Sequence, residues 1–180
     1  MIACRMMCNA SMEHAQSLKI LIRNNKFTSA IAILRMQYEA FVRGIWLLYA
    51  ANDTALSKIT NELNIESERI ANKLPMLSEM IKQLDGKAPE EAVLMINDFK
   101  EATWKSLGSY VHSGIHVIHG QNTGYPLDYI VQIIESSNGL STMNAMLLAI
   151  LTADPDITDL ASDIQFKFQD CLPKLAGSKS

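Results

Sequence analysis

Apolar residues recur every three or four positions through most of this chain, the spacing that places them on one face of a helix. In the first segment, the apolar positions between Met7 and Ile22 follow this period closely. A strand would show apolar and polar residues in alternation, and the sequence contains no such stretch. The pattern therefore predicts an all-α fold, a helical bundle of four to five long helices with short accessory helices.

Interruptions of this pattern predict where the helices begin and end. The polar turn Arg23–Lys26 is too short to separate domains, so the first two helices should form an antiparallel pair. The second half of helix two, FVRGIWLLYAA, is apolar on nearly all sides and predicts the most buried helix. We expect helices over 3–22 and from 28 or 29 to 51, then a short helix ending near 61 and two helical pieces within 64–84. Further helices are expected over 90–119, over 126–152 with a disturbance at 136–139, and over 157–172, with a loop over 119–126.

The length of 180 residues is that of one domain, and 48% apolar residues indicate a globular chain. We expect a single bundle domain over 1–175 and a frayed tail over 176–180. The net charge of −3 argues against a strongly basic nucleic-acid surface, although it is compatible with a local basic patch. Because no apolar run reaches the roughly 18–20 residues of a membrane span, we expect a cytoplasmic protein that does not enter a membrane.

The chain has three cysteines, an odd number that disfavours a framework of disulfides and fits a reducing compartment. Cys4 and Cys8 are one helical turn apart and could join His14 in holding a metal. No second pair follows them, so two buried thiols on one helix are the favoured interpretation.

Three of the four histidines fall within eight residues, in WKSLGSYVHSGIHVIH. On one continuous helix, His112, His116 and His119 would form a single stripe, with Lys105 close to it. Such a stripe can bind a divalent metal, act in acid–base catalysis or contact RNA, or consist of hydrogen-bonded interior groups. Metalloprotease helices carry a glutamate after the first histidine, and Ser113 stands there, so that mechanism is disfavoured.

A second charged row lies on the predicted central helix, where Arg35, Glu39 and Arg43 are spaced by four residues. Their neighbours are largely apolar, so some of these charges should be half-buried and need partners. Glu39 can pair with both arginines or orient a histidine, and an arginine with free donors suits a phosphate or carboxylate. The row is therefore either a structural network or an anion site, and Tyr110 is a further hydrogen-bond donor beside it.

These two stretches together resemble an uncharacterised family of bacterial helical proteins. The pattern that carries the resemblance is Arg-x3-Glu-x3-Arg-x2-Trp followed by Tyr-x-His-x-Gly. Its members in this chain are Arg35, Glu39, Arg43, Trp46, Tyr110, His112 and Gly114. The resemblance covers both halves of the expected core and implies an all-helical fold without implying an activity.

More distantly, a helical bundle with a polar arginine and histidine site resembles the HEPN superfamily, which includes dimeric ribonucleases of toxin–antitoxin and abortive-infection systems. That superfamily usually carries its arginine and histidine on one helix. Here the basic residue upstream of His112 is Lys105, so Arg35 or Arg43 would supply the arginine from helix two. The resemblance implies a homodimer that acts on RNA or on a cognate partner protein.

The first functional hypothesis is a metal-independent ribonuclease, without cofactors, in a bacterial defence or toxin–antitoxin setting. His112, helped by His116, would act as general acid and base, while Arg35 or Arg43 would stabilise charge on the phosphate. Glu39, Tyr110, Lys105 and His119 would bind or orient. The alternatives are a non-catalytic dimeric or antitoxin-like protein with a buried Arg/Glu/His network, and a small-anion or metal binder.

Overall fold

The computed structural model describes residues 1–60, 64, 69 and 74–173. Within these ranges the chain is helical and has no strand, so the predicted all-α bundle is confirmed. The earlier part of the segment 64–84 and the tail 176–180 lie outside the described residues. The helices are α1 (Ile2–Arg23), α2 (Phe27–Tyr49), α3 (Asp53–Thr60), α4 (Leu77–Leu84), α5 (Glu90–Val111), α6 (Ile115–Thr123), α7 (Leu127–Thr152) and α8 (Pro155–Lys167), and a 3-10 turn follows at Gln169–Cys171.

Helix α2 is the central helix, as its apolar sequence predicted. It pairs with α1 and also packs against α4, α5 and α7. Phe41 and Trp46 are almost completely inaccessible to solvent, and the indole Nε1 of Trp46 donates a hydrogen bond to Gln83 Oε1 at 2.8 Å. A helix that is apolar on nearly all sides has no face to offer water, so it takes the middle of the bundle.

Helices α1, α2 and α7 meet around buried polar side chains. Gln37 is fully buried; its Nε2 donates to the carbonyl oxygen of Ser137 at 2.9 Å, and its Oε1 accepts from Ser137 Oγ at 2.7 Å. On the α1 side, Ser11 Oγ donates to the Gln37 carbonyl oxygen at 3.1 Å. The stretch 136–139, expected to disturb α7, is continuous helix, because its small residues serve this close packing.

Helix α5 runs antiparallel to α2. Tyr38 Oη donates to the carbonyl oxygen of Ile96 at 2.8 Å, and its ring stacks on Phe99 with centroids 4.5 Å apart. Further along, Arg35 lies over the ring of Trp104. This pairing brings the start of α2 to the end of α5, where the histidine-rich stretch begins.

Two predicted helix boundaries were wrong. The single helix expected over 90–119 is interrupted at 112–114, and its second part continues to Thr123 instead of giving way to a loop. The last helix, expected over 157–172, runs from Pro155 to Lys167 and is followed by the 3-10 turn at Gln169–Cys171. Within the described residues, no helix combines the length and apolar character that crossing a membrane requires.

Candidate functional site

The histidine-rich stretch folds into a sharp corner between α5 and α6. Ser113 adopts a left-handed backbone conformation with φ of 54°, which ends α5. Beyond it, the Gly114 N–H donates to the Ser109 carbonyl oxygen at 2.6 Å, and the His116 N–H donates to Ser109 Oγ at 3.1 Å. A methyl group at Gly114 would lie 2.6 Å from Ser109 Oγ, so only glycine fits this close approach.

The corner divides the predicted histidine stripe between two elements. His112 is the residue that terminates α5, whereas His116 and His119 lie on α6. All three side chains are exposed to solvent. The expectation of one continuous stripe was wrong, because the periodicity of the sequence does not reveal the left-handed residue between the two helices.

An open cleft of about 650 Å³ lies where α5, α6 and α7 meet. It combines two exposed histidines with three tyrosines, and no lysine or arginine contributes to its described lining. His119 follows His116 by three positions on α6, so both imidazoles can face the cleft. The lining residues are Ser106, Tyr110, His116, His119, Gly120, Thr123, Gly124, Tyr125, Pro126 and Tyr129.

The tyrosines form an aromatic wall with hydrogen-bonding hydroxyl groups. The Tyr110 ring lies 6.3 Å from that of Tyr125 and 5.9 Å from that of His116, measured between centroids. Burial raises the pKa of both groups, Tyr110 and Tyr129, and Tyr129 raises that of Tyr110 further. Both tyrosines therefore remain protonated near neutral pH and can act as donors.

Tyr125 is held at one edge of the cleft by the start of α2. Its hydroxyl and Thr28 Oγ1 lie 2.6 Å apart, and Gln121 Nε2 donates to the same Thr28 oxygen at 2.8 Å. A methyl group at Gly120 would overlap the Tyr125 ring, so this position requires glycine. Thr28, one of the two positions at which α2 was expected to begin, has this role; α2 begins at Phe27, and its N-terminal flanking residue Lys26 provides no side-chain cap.

Arg35 lies in a second polar location, between α2 and α5. Its Nε donates to Glu39 Oε1 at 2.8 Å, and its guanidinium carbon lies 3.8 Å from the centre of the Trp104 ring. The side chain is 16% exposed. A methyl group at Gly108 would come within 2.7 Å of Arg35 Nη1, so the absence of a side chain at this position leaves room for the guanidinium.

These contacts fix the guanidinium but use only one of its donors. Within the described part of the chain, Nη1 and Nη2 of Arg35 have no hydrogen-bond partner. A planar guanidinium that is held in place with free donors suits a phosphate or carboxylate. Lys105, Gly108 and His112 share one face of α5 by their spacing, and Lys105 and His112 are both exposed.

Arg43 is not part of either arrangement. It lies eight residues beyond Arg35, about 12 Å along α2, in the direction away from His112 because α2 and α5 are antiparallel. Its half-buried side chain has neither an ion pair nor a hydrogen bond in the described ranges. The predicted site residues therefore fall into two groups: Tyr110, His116 and His119 at the cleft, and Arg35 with Glu39 on the side of α5 that also carries Lys105 and His112.

The described residues contain no group of three histidine, cysteine, aspartate or glutamate side chains that could hold a metal ion. Cys4 and Cys8 are both buried in the core. A hydrogen bond with Cys4, together with burial, raises the pKa of the Cys8 thiol. The pair therefore packs as two small apolar groups, as the sequence indicated.

Residues 8–174 match the model of a family of unknown function, DUF6988. The chain belongs to this family. The match confirms the expectation of an uncharacterised family. No curated protein and no solved structure matches the chain.

The DUF6988 match covers the cleft and both arginines, so the site belongs to the matched part of the chain. Several residues that build this site were not indicated by the sequence pattern, notably Thr28, Ser109, Tyr125 and Tyr129. The one available signal was the short segment Gly124–Pro126, where a tyrosine stands between a glycine and a proline. Glycine at φ of 81° and proline set the turn that presents Tyr125 to the cleft.

Proposed function

We propose that this protein is a metal-independent, HEPN-like ribonuclease whose acid–base pair is His116 and His119. The observation that supports it is the open cleft in which two exposed histidines face three tyrosines. Imidazoles exchange protons near neutral pH, so neighbouring histidines can supply one base and one acid. The bacterial defence or toxin–antitoxin setting follows from the resemblance to HEPN proteins alone.

The proposed chemistry needs only side chains of the cleft. One imidazole removes the proton of the ribose 2′-hydroxyl, whose oxygen attacks the adjacent phosphorus. The other imidazole protonates the departing 5′-oxygen, which leaves a 2′,3′-cyclic phosphate and a free 5′-hydroxyl. The protonated imidazole also provides the positive charge that the lining otherwise lacks.

The tyrosines suit the rest of an RNA ligand. Unpaired bases stack on aromatic side chains, and protonated tyrosine hydroxyls donate hydrogen bonds to base edges or to phosphate. Arg35 is a candidate contact for a phosphate outside the cleft, since its Nη groups have no partner among the described residues. A protein with a net charge of −3 should bind RNA weakly and lose affinity as salt increases.

The test is cleavage of bulk cellular RNA by the purified protein, with and without EDTA. We expect cleavage that resists EDTA and falls by about 10²-fold or more in His116→Ala and in His119→Ala, the usual scale for losing a general acid or base. His14→Ala is the matched control, because it removes a histidine from α1 and should leave the rate unchanged.

His112→Ala distinguishes between two assignments of the catalytic base. His112 is not among the lining residues of the cleft, so this variant should retain most of the activity. Loss of activity in His112→Ala with retention in both cleft variants would instead move the chemistry to the side of α5 that Arg35 contacts. Cleavage that persists equally in all three variants would contradict catalysis by histidine.

A second candidate is a non-catalytic protein that binds RNA or another anion. The Nη donors of Arg35, which have no hydrogen-bond partner within the part of the chain that the structure describes, favour it. It predicts that the folded wild type binds single-stranded RNA without cleaving it. Binding should then weaken in Arg35→Met and be unaffected in His116→Ala. A cognate partner protein would be sought if neither binding nor cleavage occurred.

A further inference from the structure

Helix α6 carries both histidines of the cleft but buries little of its own surface in the core. It is nine residues long, and among its described residues Gly120 alone is buried. A helix shorter than about 12 residues is marginal in water unless tertiary contacts stabilise it. The hydrogen bonds that connect α6 to the rest of the bundle therefore decide where its histidines lie.

At its first turn, α6 is capped by a side chain from another helix. Gly114, the residue before α6, has no side chain that could cap it, and the His116 N–H donates instead to Ser109 Oγ on α5 at 3.1 Å. A serine at the N-cap position normally accepts this bond from the second or third residue of its own helix. The next residue of α5, Tyr110, contacts the His116 ring, with centroids 5.9 Å apart. Consecutive residues of α5 thus hold the backbone and the imidazole of His116.

At its other end, α6 is connected to the start of α2 through Thr28. Gln121, two positions after His119, donates from Nε2 to Thr28 Oγ1 at 2.8 Å. The same Thr28 oxygen lies 2.6 Å from the hydroxyl of Tyr125, which belongs to the aromatic wall of the cleft. One threonine hydroxyl therefore connects both the histidine-bearing helix and the aromatic wall to the central helix α2.

We propose that Ser109 and Thr28 are positioning residues, which fix the two ends of α6 and thereby place His116 and His119 in the cleft. The two attachment points, His116 and Gln121, are five positions apart, about 7.5 Å along the helix axis. Two attachments at this separation fix the direction of the helix as well as its position, whereas a single one would let it pivot. The effect on catalysis rests on the proposed function, but the placement of α6 does not.

The first test needs no activity and uses the NMR resonances of the histidine rings in the full chain. In Ser109→Ala the ring resonances of His116 should shift, and in Thr28→Val those of His119 should shift, because each variant releases the nearer end of α6. Ser109→Thr and Thr28→Ser keep a hydroxyl and should restore the wild-type resonances. The ring of His14, on α1, should be unchanged in all four variants and is the internal control.

The second test is steady-state cleavage of RNA by the same variants. A misplacement of about 1 Å can cost about 10²-fold in rate, so Ser109→Ala should lower kcat by about 10-fold or more and leave KM near the wild-type value. Thr28→Val should lower kcat and also raise KM, because it releases Tyr125 as well. Ser162→Ala is the matched control: it removes an exposed hydroxyl whose hydrogen bond stays within α8, and it should change neither constant.

The double variant Ser109→Ala Thr28→Val tests whether the two bonds act on one helix. Independent effects add in free energy, so their factors in kcat would multiply. If both hydroxyls fix α6, the double variant should lose more than the product of the two single losses, since either remaining bond still limits the movement in the single variants. Losses that only multiply would overturn the joint role.

The outcomes separate this proposal from the proposed function. Activity that is lost in His116→Ala but retained in Ser109→Ala and Thr28→Val, with unchanged ring resonances, would overturn the positioning role and leave the ribonuclease assignment standing. If the folded wild type does not cleave RNA, the ribonuclease assignment fails and the NMR comparison decides alone: shifted rings with rescue support the placement of α6, and unchanged rings overturn it. A smaller folded fraction would lower kcat without shifting the rings of the folded protein, and that result would also overturn the positioning role.

Discussion

At the scale of single residues, two glycines leave the space that Arg35 and Tyr125 occupy in the two polar locations. Gly108 and Gly120 both lie within helices, where glycine costs about 1 kcal/mol relative to alanine. At each position a methyl group would enter space that a functional side chain occupies, Arg35 in one case and Tyr125 in the other. Each glycine therefore leaves room for the neighbouring functional side chain, and the helix is less stable at that position than it would be with alanine.

The effect of Gly108→Ala on the free energy of unfolding should therefore depend on whether the Arg35 side chain is present. In the wild type, the added methyl group must displace Arg35 Nη1, which Glu39 and Trp104 hold, so the substitution should be neutral or destabilising. In an Arg35→Ala background, that obstacle is gone and the same substitution should stabilise by about 1 kcal/mol through helix propensity. Urea denaturation of the four proteins measures the coupling. Equal effects of Gly108→Ala in both backgrounds would show that Arg35 does not depend on this glycine.

At the scale of the element, the corner between α5 and α6 shows why the helix boundaries were only partly predictable. The pairing of Arg35 with Glu39 was foreseen as one alternative, because the two residues are four positions apart on one helix. The break at Ser113 was not, since apolar residues continue at helical spacing across it. Gly114 was the only local hint, and what makes glycine necessary there is the approach of Ser109, a contact that exists only after the corner has formed.

Replacement of Ser113 by glycine should stabilise the corner between α5 and α6. A non-glycine residue in the left-handed conformation costs about 1–2 kcal/mol. Glycine avoids this cost, but it loses more conformational entropy on folding, so only part of the gain in stability remains. We expect Ser113→Gly to raise the free energy of unfolding by about 0.5–1 kcal/mol in urea denaturation. Ser17→Gly, within α1, is the control and should lower it by a similar amount. A loss of stability in Ser113→Gly would mean that the serine side chain contributes more than its backbone conformation costs.

For the whole molecule, periodicity predicted the class of fold, the α1–α2 pair and the buried position of α2, because each depends on which residues must avoid water. It did not predict which polar residues would be buried. One alternative that the sequence suggested was a buried network of Arg35, Glu39 and the histidines, whereas the fully buried network centres on Gln37 and Ser137, from α2 and α7. Residues a hundred positions apart meet only through the packing of the bundle. The tyrosines of the cleft escaped prediction for the same reason.

The joint of α1, α2 and α7 contains two buried amides that should respond differently to loss of polarity. Gln37 uses both ends of its side chain, on Ser137 and Ser141. Asn144 donates from Nδ2 to the Cys8 carbonyl oxygen at 2.9 Å, but its buried Oδ1 has no partner in the described residues. An unpaired buried acceptor opposes folding, whereas a paired one leaves its partners unsatisfied when it is removed.

Gln37→Met should therefore destabilise the protein by about 2–4 kcal/mol, since several hydrogen bonds are lost and the Ser137 hydroxyl loses its acceptor. Asn144→Leu should change stability by less than about 1 kcal/mol, because the lost bond to Cys8 is offset by removal of the unpaired oxygen. Urea denaturation followed by circular dichroism compares the two variants, which keep similar side-chain volumes. Equal losses would show that Asn144 Oδ1 is satisfied in solution, and the three-helix joint would then depend on both amides alike.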